Sequence, residues 1–306
     1  MLRLEDLTLF VRAAALGSFS ETAREANIQP AQVSTAIKRL EQDLNTRLFA
    51  RSTRNIRLTP EGESWLPYAQ TILQTLHSGY EQLQPEGDEV SGTLQVAVPS
   101  DLGRHLLLDV FQSFRQRYPA LRLKILFSDH ITDVFKDPVD VAFRYGHNDD
   151  ASYISLPVVA ENRRVLVASP EYLARFGEPH TPDELKKHHT LTYFLHGRSF
   201  ETWTLKRHQL QYQIAVKSDI TSDDAEVIRR LALRGEGIAY KSWLDVCDNV
   251  KAGELQVLLK QYEGDSIPLN MICPHRQQIS ARVKLLHEAV KARCKDAIAS
   301  LPAIEP

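Results

Sequence analysis

Ala31, Ser34, Thr35 and Lys38 are the first residues whose types and spacing point to a chemistry. They share one helical face that is short and polar and ends in a cation. Such a face can enter the major groove of DNA, where small side chains permit close approach and hydroxyls meet base edges. Just downstream, residues 48–58 read as two short strands around a tight turn, a wing that carries Arg51 and Arg54. Guanidinium groups there contact phosphates or probe the minor groove. The competing reading pairs these arginines with acids on neighbouring helices. Enzyme chemistry has less support: HExxH, GxSxG and GxxxxGK[ST] are all absent. The glycines of residues 234–238 leave a helix and enter a strand, which makes a C-cap and no dinucleotide fingerprint. Neighbours on a helix do not face together, so His188 and His189 read as solvated surface.

Three helices must position the polar face. Leu7, Phe10, Val11 and Ala14 give an amphipathic helix over 4–16, which Gly17 stops. Ser18 or Ser20 can cap a second, short helix ending near Ala26. Asn27 to Gln29 make a turn, and Pro30 suits the first position of a third helix. Val33, Ile37, Leu40 and Leu44 are its buried stripe. Asn45 falls where a left-handed residue is wanted.

Five blocks then stand in order and at matching spacing: FSETAREAN (19–27), Val33-Ser34, IKRLE (37–41), LFAR (48–51) and RLTPEG (57–62). They resemble the signature of LysR-type transcriptional regulators, and the resemblance extends over the whole chain. It implies DNA-reading positions at Pro30, Ala31, Ser34, Thr35 and Lys38, with Arg51 and Arg54 on the wing. Thr35 stands where many members carry Arg, which puts base preference in doubt there. Asn45 replaces a usual glycine.

Thr59-Pro60-Glu61 is a helix start: a capping hydroxyl, a proline in the first turn and a carboxylate at the positive end. Leu66, Ala69, Leu73, Leu76, Tyr80 and Leu83 follow at spacings of three and four, an a/d seam. The seam packs either on the chain's own domain or on a second chain. Beside a helix-turn-helix, dimerisation through Leu66, Leu73, Leu76, Tyr80 and Leu83 is the expectation, with half-sites about one DNA turn apart. Pro85 to Asp88 end the helix at a hinge. The resemblance adds a homotetramer built from homodimers.

Strands and helices alternate from Thr93 onward, implying βαβ units and parallel sheets with helices on both faces. Crossings near 160–164 and 264–268 would divide the region into two lobes around a cleft. This resembles the type 2 periplasmic binding protein fold, the effector domain of LysR regulators, most visibly at 140–146 and 168–173. Expected boundaries are 1–58 for an all-α winged helix-turn-helix, 59–90 for a long linker helix and hinge, and 91–306 for an α/β bilobed effector domain. Lobe I takes 91–162 and 268–306, and lobe II takes 163–267. Ligands in open α/β sheets bind beyond the carboxyl ends of strands, often at helix N-termini. That places Ser100, Asp101, Ser128, Thr132 and Arg144 in the cleft, facing Phe194, Thr221 and Ser222. Ser100 and Ser222 suit a carboxylate, and Arg144 either adds charge or pairs with Asp101 or another acid. Phe194, Tyr145 and Trp203 serve either an aromatic effector or the core.

Composition sets the outer bounds. The chain has 306 residues and net charge −2, yet residues 1–60 carry nine basic and six acidic residues, +3, leaving −5 elsewhere. A basic head on an acidic body suits a polyanion partner at the N-terminus only. Three widely spaced cysteines, Cys247, Cys273 and Cys294, make neither a disulfide framework nor a zinc site and fit a reducing cytosol. Cys247 is either a thiol switch or buried packing. Arg3, Glu5, Asp6 and Arg12 interrupt any export signal. The expectation is therefore a cytoplasmic, non-enzymatic regulator without metal or cofactor. It would bind double-stranded operator DNA, a small and preferably anionic effector, and RNA polymerase. Its rivals are a DNA-tethered enzyme and an effector-free architectural protein.

Overall fold

The computed structural model describes residues 2–51, 56–83, 90–129, 139–146, 153–195, 198–208, 210–273 and 279–305. The chain divides into two compact units, Met1–Asp88 and Glu89–Pro306.

In the first unit, α1 (Leu4–Leu16), α2 (Phe19–Glu25) and α3 (Pro30–Asp43) precede β1 (Phe49–Arg51), β2 (Ile56–Leu58) and α4 (Pro60–Leu83). Leu7, Phe10, Ala13, Ala23, Val33, Ile37, Leu40, Leu48 and Phe49 form its buried centre. Gly17 (φ 61°) ends α1, and Asn45 (φ 50°) turns the chain after α3 in the left-handed conformation expected of it. Gly62 has no substitute, because a Cβ there would lie 2.2 Å from the Leu48 carbonyl oxygen.

The second unit holds two mixed sheets. Lobe I orders its strands β4 (Leu121–Phe127), β3 (Gly92–Val98), β5 (Val141–Tyr145), β16 (Leu269–Cys273) and β6 (Ile154–Val159). Lobe II orders β12 (Ser218–Ser222), β8 (Thr190–Leu195), β13 (Ile238–Ser242), β7 (Arg164–Ala168) and β14 (Gln256–Leu258), with β9 (Arg198–Ser199) paired to β8 and a smaller sheet of β11 (Leu210–Ala215), β10 (Thr202–Arg207) and β15 (Glu263–Gly264) beside it. Four strands in each mixed sheet point the same way, where an all-parallel sheet was expected. The fifth, β16 in lobe I and β7 in lobe II, runs antiparallel to both of its neighbours, because each enters its sheet directly from a crossing, in the reverse direction. The crossings pair with each other: Ile267 N donates to Asn162 O at 2.9 Å, and Arg164 N to Asp265 O at 2.8 Å.

Two helices, α5 (Ser100–His105) and α6 (Leu108–Arg117), follow β3. The N–H of Leu107 reaches back to Leu102 O, and both Leu106 and Leu107 turn into the core, which breaks the helix. Lobe II adds α7 (Pro170–Phe176), α8 (Ala225–Leu233) and α9 (Trp243–Lys251), and α10 (Ala281–Ile298) returns to lobe I. One apolar core runs through both lobes, from Leu94, Val96 and Phe143 to Val167, Leu191 and Trp243.

Candidate DNA-binding and effector sites

Helix α3 is sided. Val33, Ala36, Ile37 and Leu40 are buried, whereas Pro30, Ala31, Thr35 and Lys38 are exposed and Ser34 is half-buried. The Thr35 hydroxyl donates to Ala31 O at 2.8 Å, so the side chain is held along the helix. Charge pairs tie the three helices together: Arg39 Nε of α3 donates to the buried Asp6 carboxylate of α1 at 2.6 Å, and Arg12 of α1 pairs with Glu25 of α2. The Glu41 carboxylate accepts from Leu48 N and Phe49 N, at 2.9 and 3.2 Å, and so fixes the start of the wing relative to α3. Strands β1 and β2 pair antiparallel, Ala50 opposite Arg57 and Arg51 opposite Ile56. Arg57 is exposed on this wing and had not been singled out in the sequence. Arg51 has its backbone in β1, but its side chain, like the whole of Arg54, lies outside the described residues.

The cleft residues separate into those the fold gathers and those it does not. Ser100 and Asp101 are almost completely buried at the start of α5. Asp101 bonds the lobe II cations Lys241 and Arg229, the latter at 3.1 Å from Nε. Arg144 does not pair with Asp101. Its Nη1 donates to Ser128 O at 2.8 Å and to Phe143 O at 3.2 Å, so Ser128 enters through its carbonyl. The Ser222 Oγ is occupied in a turn, accepting from Asp224 N at 3.1 Å. Phe194 lies on the sheet face opposite Tyr193, since side chains alternate along a strand. Thr221, paired with Thr192 in register, is exposed. Trp203 is buried in the second core of lobe II. Thr132 lies outside the described residues.

Around Asp101 stands a buried ionic cluster that the sequence reading missed. Lys241 is flanked by Asp101 and by Asp245 (3.7 Å), and Tyr145 donates to Asp245 Oδ1 at 2.5 Å across the lobes. Burial pushes the Asp101 and Asp245 carboxyls up from their ordinary range. Burial would push the Lys241 ammonium down, but the two carboxylates outweigh it and hold it above the usual lysine value. Glu226 has the opposite balance. Burial raises it, yet bonds from His105, Arg229, Asp101 and Arg230 outweigh burial and hold it far below the usual carboxylate range. Asp101, His105 and Glu226 place their ligating atoms within 4.8 Å of one another. That spacing would suit a divalent ion, but the Arg229 guanidinium already bonds all three residues.

Residues 4–63 match the family model of the bacterial regulatory helix-turn-helix protein, lysR family, and residues 87–295 match that of the LysR substrate binding domain. The chain belongs to the LysR family. HTH-type transcriptional regulator DmlR of Escherichia coli K12 is 31% identical over 291 residues, covering 94% of this chain and 93% of that protein. CrgA of Neisseria meningitidis serogroup C is 32% identical over 283 residues, 92% of this chain and 93% of its own. The solved CrgA structure superposes with a TM-score of 0.61 at 30% identity, over 96% and 99% of the two chains. The full-length Vibrio cholerae virulence activator AphB gives 0.62 at 26% identity, over 95% and 99%. The chain is thus a LysR-type transcriptional regulator, a DNA-binding helix-turn-helix joined to an effector-binding domain.

In this LysR regulator the linker helix α4 has two apolar faces. Ala69 is fully buried, and Leu66, Leu73 and Trp65 pack with it on the core of the winged helix. Leu66 and Leu73, half-buried, pack on their own domain, and the first turns of α4 close the helix-turn-helix core. The outward stripe is Tyr68, Ile72 and Leu76, 64%, 38% and 38% exposed. Tyr80 continues that spacing within α4, but nothing is described of the Tyr80 and Leu83 side chains. His188 is half-buried and not solvated surface, its Nδ1 3.1 Å from the Tyr172 hydroxyl, whereas His189 is exposed. Cys247, Cys273 and Cys294 are free and buried. Among the described residues no helix is long and apolar enough to cross a membrane.

Proposed function

We propose that this regulator reads operator DNA with Pro30, Ala31, Ser34, Thr35 and Lys38 of α3, while Arg51, Arg54 and Arg57 of the wing hold the phosphates. The carrying observation is the sidedness of α3, with four of these five positions exposed behind a sealed apolar face. Two copies would join through Tyr68, Ile72, Leu76 and the following turns of α4, presenting two recognition helices to a two-fold operator. A further pairing into tetramers would use lobe I, where edge strand β4 and α6 flank a groove lined by Leu108, Phe111, Leu121, Leu123 and Ile125. The regulator would work in the cytoplasm and pass its signal to RNA polymerase.

The effector would bind between the lobes near Ser100, Asp101, Ser128 and Arg144. The preference for an anion rests on the N–H groups at the starts of α5 and α8, which favour a carboxylate. Mobility shifts on DNA upstream of the protein's own gene, at fixed salt, test the DNA reading. Arg54→Ala should weaken binding broadly and Thr35→Ala should alter sequence preference. Intact, unaltered binding in both would refute the assignment of α3. Thermal shifts across a metabolite panel test the effector reading.

A further inference from the structure

At the rim of the cleft one carboxylate serves two helices in different lobes. Asp129 directly follows Ser128 beyond β4 in lobe I. Its Oδ1 accepts from Ser100 N at 2.8 Å, and its Oδ2 accepts from Ser100 Oγ at 2.6 Å and from Ala225 N at 3.1 Å. Ser100 opens α5 of lobe I and Ala225 opens α8 of lobe II, and the first N–H groups of a helix have no partner within it. Asp129 therefore caps both ends at once. A second carboxylate presses on the same point, because Asp224 Oδ1 accepts from Glu226 N at 2.9 Å and lies 2.8 Å from Ser100 Oγ. The hydroxyl has one proton for two carboxylates. Arg104, 3.7 Å from Asp224 Oδ2, is the cation facing this pair among the described residues.

We propose that Asp129 is a built-in latch, a tethered carboxylate that sets the angle between the lobes by capping α5 and α8 together. Deeper in the interface, Asp101, Lys241 and Arg229 are almost wholly buried, and parting them would strand charges. Asp129 is only half-buried, so it is the contact that parts first when the lobes move. One step rests on the effector reading above: a carboxylate-bearing effector would act by taking the seat of Asp129.

The test follows amide exchange in α5 and α8 of the full-length protein, in sodium chloride and in sodium acetate at equal ionic strength. Asp129→Ala should speed exchange at the start of α8 by about tenfold, the loss expected for one uncovered hydrogen bond. Acetate should reverse this, and chloride should not. Asp224→Asn, which still caps α8 but removes the competing charge, should slow exchange or raise Tm. Unchanged exchange in Asp129→Ala, acceleration that acetate does not reverse, or faster exchange in Asp224→Asn would each overturn the latch. Acetate rescue needs no natural effector, so a metabolite panel without a hit would count against the effector reading alone.

Discussion

A lysine in a wholly buried strand needs anions, and Lys241 finds Asp101 and Asp245 on either side. Removing one member leaves the others charged in a dry interior, which typically costs about 3–5 kcal/mol. Urea unfolding of Asp101→Asn and of Lys241→Met should each show a loss of that order. The double variant should lose less than the two losses added, because neither charge is then stranded. Additive losses would mean the groups do not share a network. The anomaly was visible in the sequence, where Lys241 interrupts the apolar run after Gly237. Its partner was not visible: Asp101 lies on another lobe, and no local pattern links residues so far apart. Thr35 shows the reverse, since its position on α3 could be read locally from periodicity alone. Thr35→Arg should change the preferred base pair at one position per half-site, by roughly 1–3 kcal/mol of discrimination in a selection from random DNA. An unchanged preference would remove Thr35 from the readout.

Spacing along an element identifies an apolar stripe but not what the stripe meets. On α4 the run Leu66, Ala69, Leu73 obeys the heptad rule because it closes the core of the winged helix, and the outward stripe Tyr68, Ile72, Leu76 sits beside it. A 24-residue helix has room for both, one facing its own domain and one facing outward. The two faces predict different failures. Ile72→Glu should leave Tm close to the wild-type value while light scattering shows a smaller assembly. Leu73→Ala should keep the assembly but lower the stability of the first unit by about 2 kcal/mol, the low end for a partly buried leucine. Exchanged outcomes would restore the original seam. Strands were legible where they alternate or lie next to turn residues, as at β3, β4 and β8. Helix α9 was not legible, because Trp243, Leu244, Val246 and Cys247 are all buried and the short segment follows β13 with no turn residue between them.

At the scale of the molecule, the bilobed division could be anticipated from the order of strands and helices, whereas the continuity of the core across the lobes could not. Cys247 and Cys294 both belong to that shared core, and Cys273 lies in β16 within it. Burial pushes the three thiols up from 9.0, Cys247 and Cys273 to about 11 and Cys294 to about 12. In the folded chain they stay protonated at pH values where unfolded thiols ionise. Between pH 9 and about 11 the native state therefore binds more protons than the unfolded state, and stability must fall as pH rises. Well below pH 9 both states are protonated and the thiols contribute no slope. Other groups titrate in the same range, so the decisive comparison is Cys294→Ala against wild type. Its stability should decline less steeply between pH 9 and 11, by up to roughly 1.4 kcal/mol per pH unit. At pH 8 a thiol reagent such as DTNB should leave all three cysteines of the native protein unmodified and label them fully in urea. Rapid labelling of Cys247 in the folded protein would instead place that thiol at an accessible surface and reopen its role as a redox switch.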